Sequence, residues 1–389
     1  MENMGLGCFR VLDFTTAEAG PICSEYLSLM GLDVIRIDHP SARNMAKDDA
    51  YFFVAENLNK KCITVNHETE EGKALLRKLI DKADVIVENR AFGFMESLGC
   101  GYEDVKKTNP RIVYCAIKPY SKGSPWQDAA WNCTTVDAMG TATYLTGYIG
   151  GIPVEPGPQL SNLSACGYAA TGILAALYDR ENTGKGQYLE VSMQDAVIAH
   201  ARSAFEKYSI NHIVTRVGNA FPTVPDMVPM NLFRTKGEGP EDWALIGCMG
   251  EPMVKLLFHA MGRDDLLENP KFDTFEHRAE NSQELEQIIA DFAVQYEKYD
   301  LMELLLGKNR IVSSAVFTTH DVINAPDLRE IGLVKKIEDE ELGEMWLPAC
   351  PGVFHDIETK AENPGRPGDA NAEVFSEVLG LTGEVAGSN

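Results

Sequence analysis

The chain has 389 residues, 44% of them apolar and 24% charged, a composition ordinary for a soluble globular protein of two domains or of one large α/β domain with a smaller lobe. A formal net charge of −23 argues against general affinity for nucleic acid or anionic membrane, since both need a positive field, so an anionic ligand would have to be met by local basic groups. The nine cysteines are odd in number and scattered without a C-x-x-C pair, which fits reduced thiols. The N-terminus has no basic segment running into an apolar one, and no uninterrupted apolar stretch reaches about 18 residues. The expectation is a complete, cytoplasmic protein.

In chain order, Arg10 to Phe14 reads as a strand, Ala19-Gly20-Pro21 as a break, Ile22 to Met30 as a short helix closed by Gly31, and Asp33 to Asp38 as a second strand. This is a compact βαβ unit and predicts a parallel sheet. Lys61 to Val65 gives a third strand, Thr69 to Ala83 a helix with Ala74, Leu75, Leu79 and Ile80 on one face, Asp84 to Glu88 a fourth strand, Tyr102 to Thr108 a helix and Ile112 to Ile117 a fifth strand. Strands alternating with helices argue for an α/β, Rossmann-like parallel sheet covered on both faces.

A Gly-, Pro- and Ser-rich loop at 118–131 precedes a helix from about Thr134 to Leu145, and a second breaker-rich loop covers 147–158. The stretch Gln159 to Leu177 then reads as a loop feeding a small-residue helix, followed by the turn Thr183-Gly184-Lys185-Gly186-Gln187 with a left-handed glycine, the strand Tyr188 to Met193, and one long helix from Gln194 to about Ser209. Prolines 222, 225 and 229 mark a linker. Beyond it come strands at Met230–Arg234, Trp243–Cys248 and Val312–Thr318, helices at Pro252–Met261 and Leu301–Leu306, an acidic helical stretch from Ser282 to Tyr299, and, after Asp321, a helix, two strands about Gly343 and a last helix at Asn371–Leu379. The division expected is a large domain over 1–213, a smaller α+β domain inserted at 214–318, and a return to the large domain over 319–389.

Several chemistries find no motif. No G-x-G-x-x-G runs from a strand into a helix, so nothing points to a nicotinamide cofactor. The eight histidines show no H-E-x-x-H or metal-ligand spacing, and His67 beside Glu68 reads as a solvated cap, so no metal is expected. Nor is there a G-x-S-x-G elbow.

The ordered segments Val11-Leu12-Asp13-Phe14-Thr15, Ala19-Gly20-Pro21, Gly31 to Asp38, Asn57 to Lys61, Glu71-Gly72-Lys73, Ala83 to Asn89 and Gly172 to Ala196, with looser matches at Leu232 to Gly237 and at Leu342-Gly343, resemble the class III CoA-transferases, which include formyl-CoA, carnitine and aryl-lactate CoA-transferases. The resemblance spans most of the chain. It implies an interlocked homodimer of ring-like subunits, with acyl-CoA and a small carboxylic acid as substrates and CoA at the carboxyl ends of the strands. It also implies a mechanism in which an aspartate attacks the donor thioester to form a mixed anhydride, CoA thiolate converts that to an enzyme-bound aspartyl-CoA, and the acceptor acid reverses the steps without ATP or metal.

On this resemblance the family aspartate falls on Asn162, whose uncharged amide is a poor nucleophile. Three readings stay open: an Asp-to-Asn substitution at the nucleophile, a paralogue that uses another carboxylate, and a non-catalytic acyl-CoA-binding protein. The replacement carboxylates would be Glu18, where formyl-CoA transferases carry glutamine, and Asp137. The tyrosine and glutamate of the formyl-CoA transferase acyl site fall on Asn132 and Cys133, which argues against oxalate and formate, while Phe221 and Met227 to Met230 suit a hydrophobic acyl group or a core. For CoA the residues carried over are Arg36, Lys60, Asn89 and Arg90, with His39 close by. An α-methylacyl-CoA racemase is the weaker alternative, because no histidine lies between His67 and His200, where that family places one.

Overall fold

The computed structural model describes residues 6–17, 19–147, 151–212, 214, 228–237, 239–352 and 359–381. The chain divides into two compact units: one holds residues 1–143, 155–206 and 326–389, and the other holds 144–154 and 207–325.

The first unit is built on a six-stranded sheet of β1 (Arg10–Asp13), β2 (Asp33–Asp38), β3 (Lys61–Thr64), β4 (Val85–Glu88), β5 (Val113–Lys118) and β6 (Gln187–Ser192). Every neighbouring pair is parallel and the order is β3-β2-β1-β4-β5-β6, the doubly wound order that places a crevice where the connections reverse direction beside β1. The strands read as nearly continuous apolar runs because alternate residues enter two cores. Val11, Val34, Val85, Val87 and Val113 face one side. Leu12, Ile35, Ile63, Ile86 and Tyr114 face the other.

The first core is closed by α1 (Ala19–Leu29) and by the 24-residue α8 (Leu160–Thr183). Helix α1 starts earlier than the sequence suggests, because Pro21 sits in a first turn that does not need its missing N–H. The second core is closed by α3 (Glu70–Ile80) and α5 (Tyr102–Thr108), and by the last helix, α17 (Asn371–Leu379), which sends Val374 and Phe375 in among the strands' side chains. Short helices at α4 (Phe94–Ser97), α6 (Cys133–Met139), α9 (Met193–Ile198) and α16 (Pro326–Glu330) complete the connections of this first unit, and α7 (Ala142–Leu145) and α10 (Arg202–Asn211) each begin in it and end in the other. The helix expected over 134–145 is thus two, parted at Thr141, whose φ of 76° no helix accommodates, and the long helix expected from Gln194 is also two, parted over 199–201.

Helix α2 (Lys47–Ala55) was not foreseen. It buries only Ala50 and Val54, which pack with Leu29 and Leu58 against Ile337, Leu342 and Met345 of a distant hairpin, β10 (Val334–Asp339) with β11 (Gly343–Pro348). One correction concerns apolar length: Leu160–Thr183 holds an 18-residue window of mean hydropathy 1.3, enough on length and composition to cross a membrane. Ala165, Cys166, Ala169, Ile173 and Leu177 are nonetheless buried in the first core, as in the central helix of an α/β protein.

The second unit carries the antiparallel sheet β7 (Met230–Arg234), β8 (Trp243–Gly247) and β9 (Ser313–Ala315). The helices of this unit are α11 (Glu251–Ala260), α12 (Phe275–Glu280), α13 (Ser282–Ala293), α14 (Lys298–Met302) and α15 (Thr319–Asn324), and its core holds Phe233, Ile246, Leu257, Phe258 and Ile289. Strand β9 is shorter than expected, and the acidic helical stretch ends at Ala293.

Candidate active site

The carboxyl end of β1 delivers Asp13 into a fully buried polar cluster. Its carboxylate accepts from the Thr15 N–H at 2.8 Å, Thr15 Oγ1 at 2.5 Å, Ser24 Oγ at 2.6 Å and Lys60 Nζ at 3.0 Å. Burial alone would raise its pKa, but Lys60, Arg36 and the two hydroxyls outweigh that and hold it below the usual carboxylate range. Arg36, at the end of β2, forks onto Asp38 at 2.9 and 3.1 Å and donates to Asn57 Oδ1 at 3.0 Å. Lys60 donates to the same Asn57 oxygen at 2.7 Å and to the Pro21 carbonyl at 2.8 Å. Two cations and two carboxylates thus neutralise one another away from water, and Arg36 and Lys60, expected as phosphate ligands, have their heads committed to protein partners.

A second cluster forms at the ends of β4 and β5. Asn89 accepts from Thr16 N–H at 2.9 Å and donates to the Ala17 carbonyl at 2.5 Å, so it fastens the loop between β1 and α1. Gly20 is required beside it: a Cβ there would lie 2.5 Å from Thr15 Cβ and 2.8 Å from Asn89 Nδ2. Arg90 donates through Nε to the Phe14 carbonyl at 2.9 Å and lies over the Phe94 ring, and burial lowers its pKa. Lys118 Nζ donates to Glu88 at 2.8 Å and to the Arg90 carbonyl at 2.5 Å. Beyond β2, His39 Nδ1 meets Ser41 Oγ at 2.8 Å, and the His39 and His67 rings meet edge to face at 5.4 Å. His67 is therefore no solvated cap: burial, then His39 and Arg90, depress its pKa, and the cap of α3 is Thr69.

Between these groups opens a cavity of about 580 Å³, lined by Thr16 and Ala17, by Arg36 and Asp38, by Phe52, Phe53 and Glu56 of the α2 region, and by Gln159. Gln159 precedes α8, and its Oε1 accepts from Asn162 Nδ2 at 2.7 Å. Asn162 itself lies in the first turn of α8 and is only 3% exposed, so the polar connection from position 162 toward the cavity runs through Gln159.

Of the residues singled out from sequence, Arg36 and Lys60 meet at Asp13 and Asn57, Asn89 and Arg90 are neighbours at β4, and His39 stands at the end of β2. Glu18 lies outside the described residues, as do Phe221 and Met227. Asp137 is fully buried on α6, where its Oδ1 accepts the Ser161 N–H at 2.7 Å. Asn132 is spent on a capping box with Thr135 at the start of α6. Sequence reasoning missed Glu88 and Lys118, which read there as no more than the polar end of a strand and the first residue of a loop, and the part played by Gln159.

The profile described as "CoA-transferase family III" matches residues 6–369. The chain belongs to CoA-transferase family III. Among family members, it is 30% identical to formyl-CoA:oxalate CoA-transferase of Streptomyces avermitilis, over 96% of this chain and 95% of that one. It is 28% identical to succinyl-CoA–D-citramalate CoA-transferase of Chloroflexus aurantiacus, over 96% and 94%. The fold matches the crystal structure of a CaiB/BaiF family protein from Brucella suis with a TM-score of 0.85, covering 97% of this chain and all of that one at 24% identity. The resemblance drawn from the ordered sequence segments therefore holds over nearly the whole chain.

Proposed function

We propose that this family III protein binds an acyl-CoA at the carboxyl edge of its parallel sheet, and that position 162 is the seat from which CoA is passed to a small carboxylic acid through anhydride and thioester intermediates. The observation that carries this reading is the placement of residue 162: buried in the first turn of α8, where helix amides favour negative charge, and linked by Gln159 to the cavity beside Arg36. The aromatic rings of Phe52 and Phe53 and the tethered 16–17 loop suit an uncharged arm such as pantetheine, and Arg90 and His39 stand nearby for phosphates. Asn132, engaged in capping, supports an acceptor other than oxalate or formate.

Because residue 162 is an amide, a second reading has its own support: the chain holds acyl-CoA without turning it over. Transfer from a panel of acyl-CoAs, measured for this chain and for Asn162→Asp, separates the two. Transfer that appears or rises at least about 10²-fold in the aspartate form, the scale on which a positioned catalytic side chain contributes, supports the transferase seat. An inert Asn162→Asp protein that still binds CoA supports the binding role. The exposed side of α8, with Leu163, Tyr168 and Tyr178 between 42% and 77% exposed, supports a homodimer.

A further inference from the structure

The head of α8 lacks a cap of its own: Gln159 stands at the N-cap position, but its side chain makes no capping bond. Helices leave their first N–H groups without intrahelical partners, and a short polar side chain at the N-cap ordinarily takes one of them. Here that bond comes from another helix. Asp137 of α6 accepts the Ser161 N–H at 2.7 Å, and Ser161 Oγ adds a 3.3 Å bond to the Cys133 carbonyl on the same helix. Gln159, relieved of capping, takes the side chain of residue 162 instead.

Asp137 is 0% exposed, and its other oxygen, Oδ2, is buried with no hydrogen-bond partner among the described residues. No salt bridge engages it among those residues either. A carboxylate is costly to keep in such a place for packing alone, since an uncharged side chain of similar size would fill it without the desolvation penalty. Its position, one residue from the proposed seat and at the positive end of a 24-residue helix, gives it a task that an apolar residue lacks.

We propose that Asp137 is a positioning residue for the chemistry at residue 162. By holding the Ser161 amide it sets where the first turn of α8 begins, and so fixes the backbone of residue 162, while Gln159 fixes that residue's side chain. This inference rests on the reading of position 162 as the seat of transfer. It gives Asp137 a supporting role in place of the nucleophilic one considered from sequence.

The test uses the full chain with Asn162→Asp, alone and combined with Asp137→Ala or Asp137→Asn, resolving kcat from KM for the acyl-CoA. Hydrogen exchange of the segment 160–163 is followed by mass spectrometry in the same proteins and in their Asn162 counterparts. Asparagine keeps an acceptor for the Ser161 N–H and alanine does not. The expected result is a kcat at least about tenfold lower for Asp137→Ala, within the ~10²-fold that a 1 Å misplacement of a reacting group costs, with KM little changed, faster exchange at 160–163, and recovery of both in Asp137→Asn. The inference is overturned if Asp137→Ala matches its parent in kcat and exchange, or if Asp137→Asn fails as badly as Asp137→Ala. Should Asp137→Ala not fold, Asp137→Ser, whose hydroxyl is too short to reach the same amide, takes its place. If Asn162→Asp transfers nothing, the functional reading fails on its own, and exchange in the Asn162 proteins still decides: unchanged exchange in Asp137→Ala overturns the positioning, and faster exchange restored by asparagine upholds it.

Discussion

Lys60 Nζ and Asp13 Oδ2 form an ion pair at 3.0 Å in which neither side chain has any exposed surface. Such a pair gains little net stability from its own attraction, because both ions give up their hydration, but removing one member leaves the charge of the other poorly compensated. Lys60→Met and Asp13→Asn should each destabilise the protein by about 3–5 kcal/mol, measured as the free energy of unfolding in urea. The double variant should cost clearly less than the sum, because Asn57 and the Pro21 carbonyl tolerate a neutral neighbour better than Asp13, left with Arg36 at 3.8 Å, or Lys60 tolerates the loss of its partner. Additive single effects would show that the two do not depend on each other.

Glu25, on α1 and 6% exposed, makes a separate statement about pH. Burial, helped by Glu56 and only partly offset by Lys60, pushes its pKa from 4.5 up to about 8. A carboxyl whose folded pKa is raised adds stability that is fully present below the unfolded value and is lost as pH rises through the folded one. Between pH 4.5 and about 8, the stability of the parent should therefore fall relative to Glu25→Gln. Urea midpoints at pH 5 and pH 8.5 test this: the glutamine form should gain on the parent at the higher pH, and a constant gap would refute the assignment.

Gly20→Ala should lower both stability and acyl-CoA affinity. The added methyl group would meet Thr15 and Asn89, which fasten the loop whose Thr16 and Ala17 line the cavity. Overpacking of this kind costs about 1–3 kcal/mol. Because the displaced side chains hold a cavity wall, CoA binding by calorimetry should weaken even where the variant remains folded. Full affinity with reduced stability would separate the loop from the ligand.

How much of this was legible in the sequence depends on how local each cause is. The parallel sheet was, because strands buried on both faces leave unbroken apolar runs bounded by turn residues, as at Val85–Glu88 and Val113–Lys118. Helix α2 was not, because its buried residues Ala50 and Val54 face a hairpin about 290 positions away while Phe52 lies 70% exposed. That Asn162 opens a small-residue helix was legible from the run at 159–177. The bond from the Ser161 N–H to Asp137 was not, since it joins residues 24 apart and no pattern within either helix announces it. The same holds for Arg36 and Lys60: sequence shows two cations at strand ends, and only the folded chain shows the carboxylates that occupy them.

Helix α8 has two faces, and the outer one is the less ordinary. Its buried side carries Ala165, Ala169, Ile173, Ala176 and Leu177, while the side turned away from the core carries Leu163, Tyr168 and Tyr178, the last 77% exposed. Apolar side chains gathered on one exposed helix face mark an interaction surface more often than a solvated one. If this face joins two copies, the parent should sediment at twice the mass of the 42.8 kDa chain. Tyr178→Glu, which places a charge in that contact, should then weaken association by at least about tenfold, since a buried aromatic anchor is commonly worth 2 kcal/mol or more. Its unfolding midpoint should stay close to the parent's, because a residue so exposed contributes little to its own core. Analytical ultracentrifugation over a range of concentrations measures both species, and a parent that remains monomeric at every concentration would leave the outer face of α8 without this role.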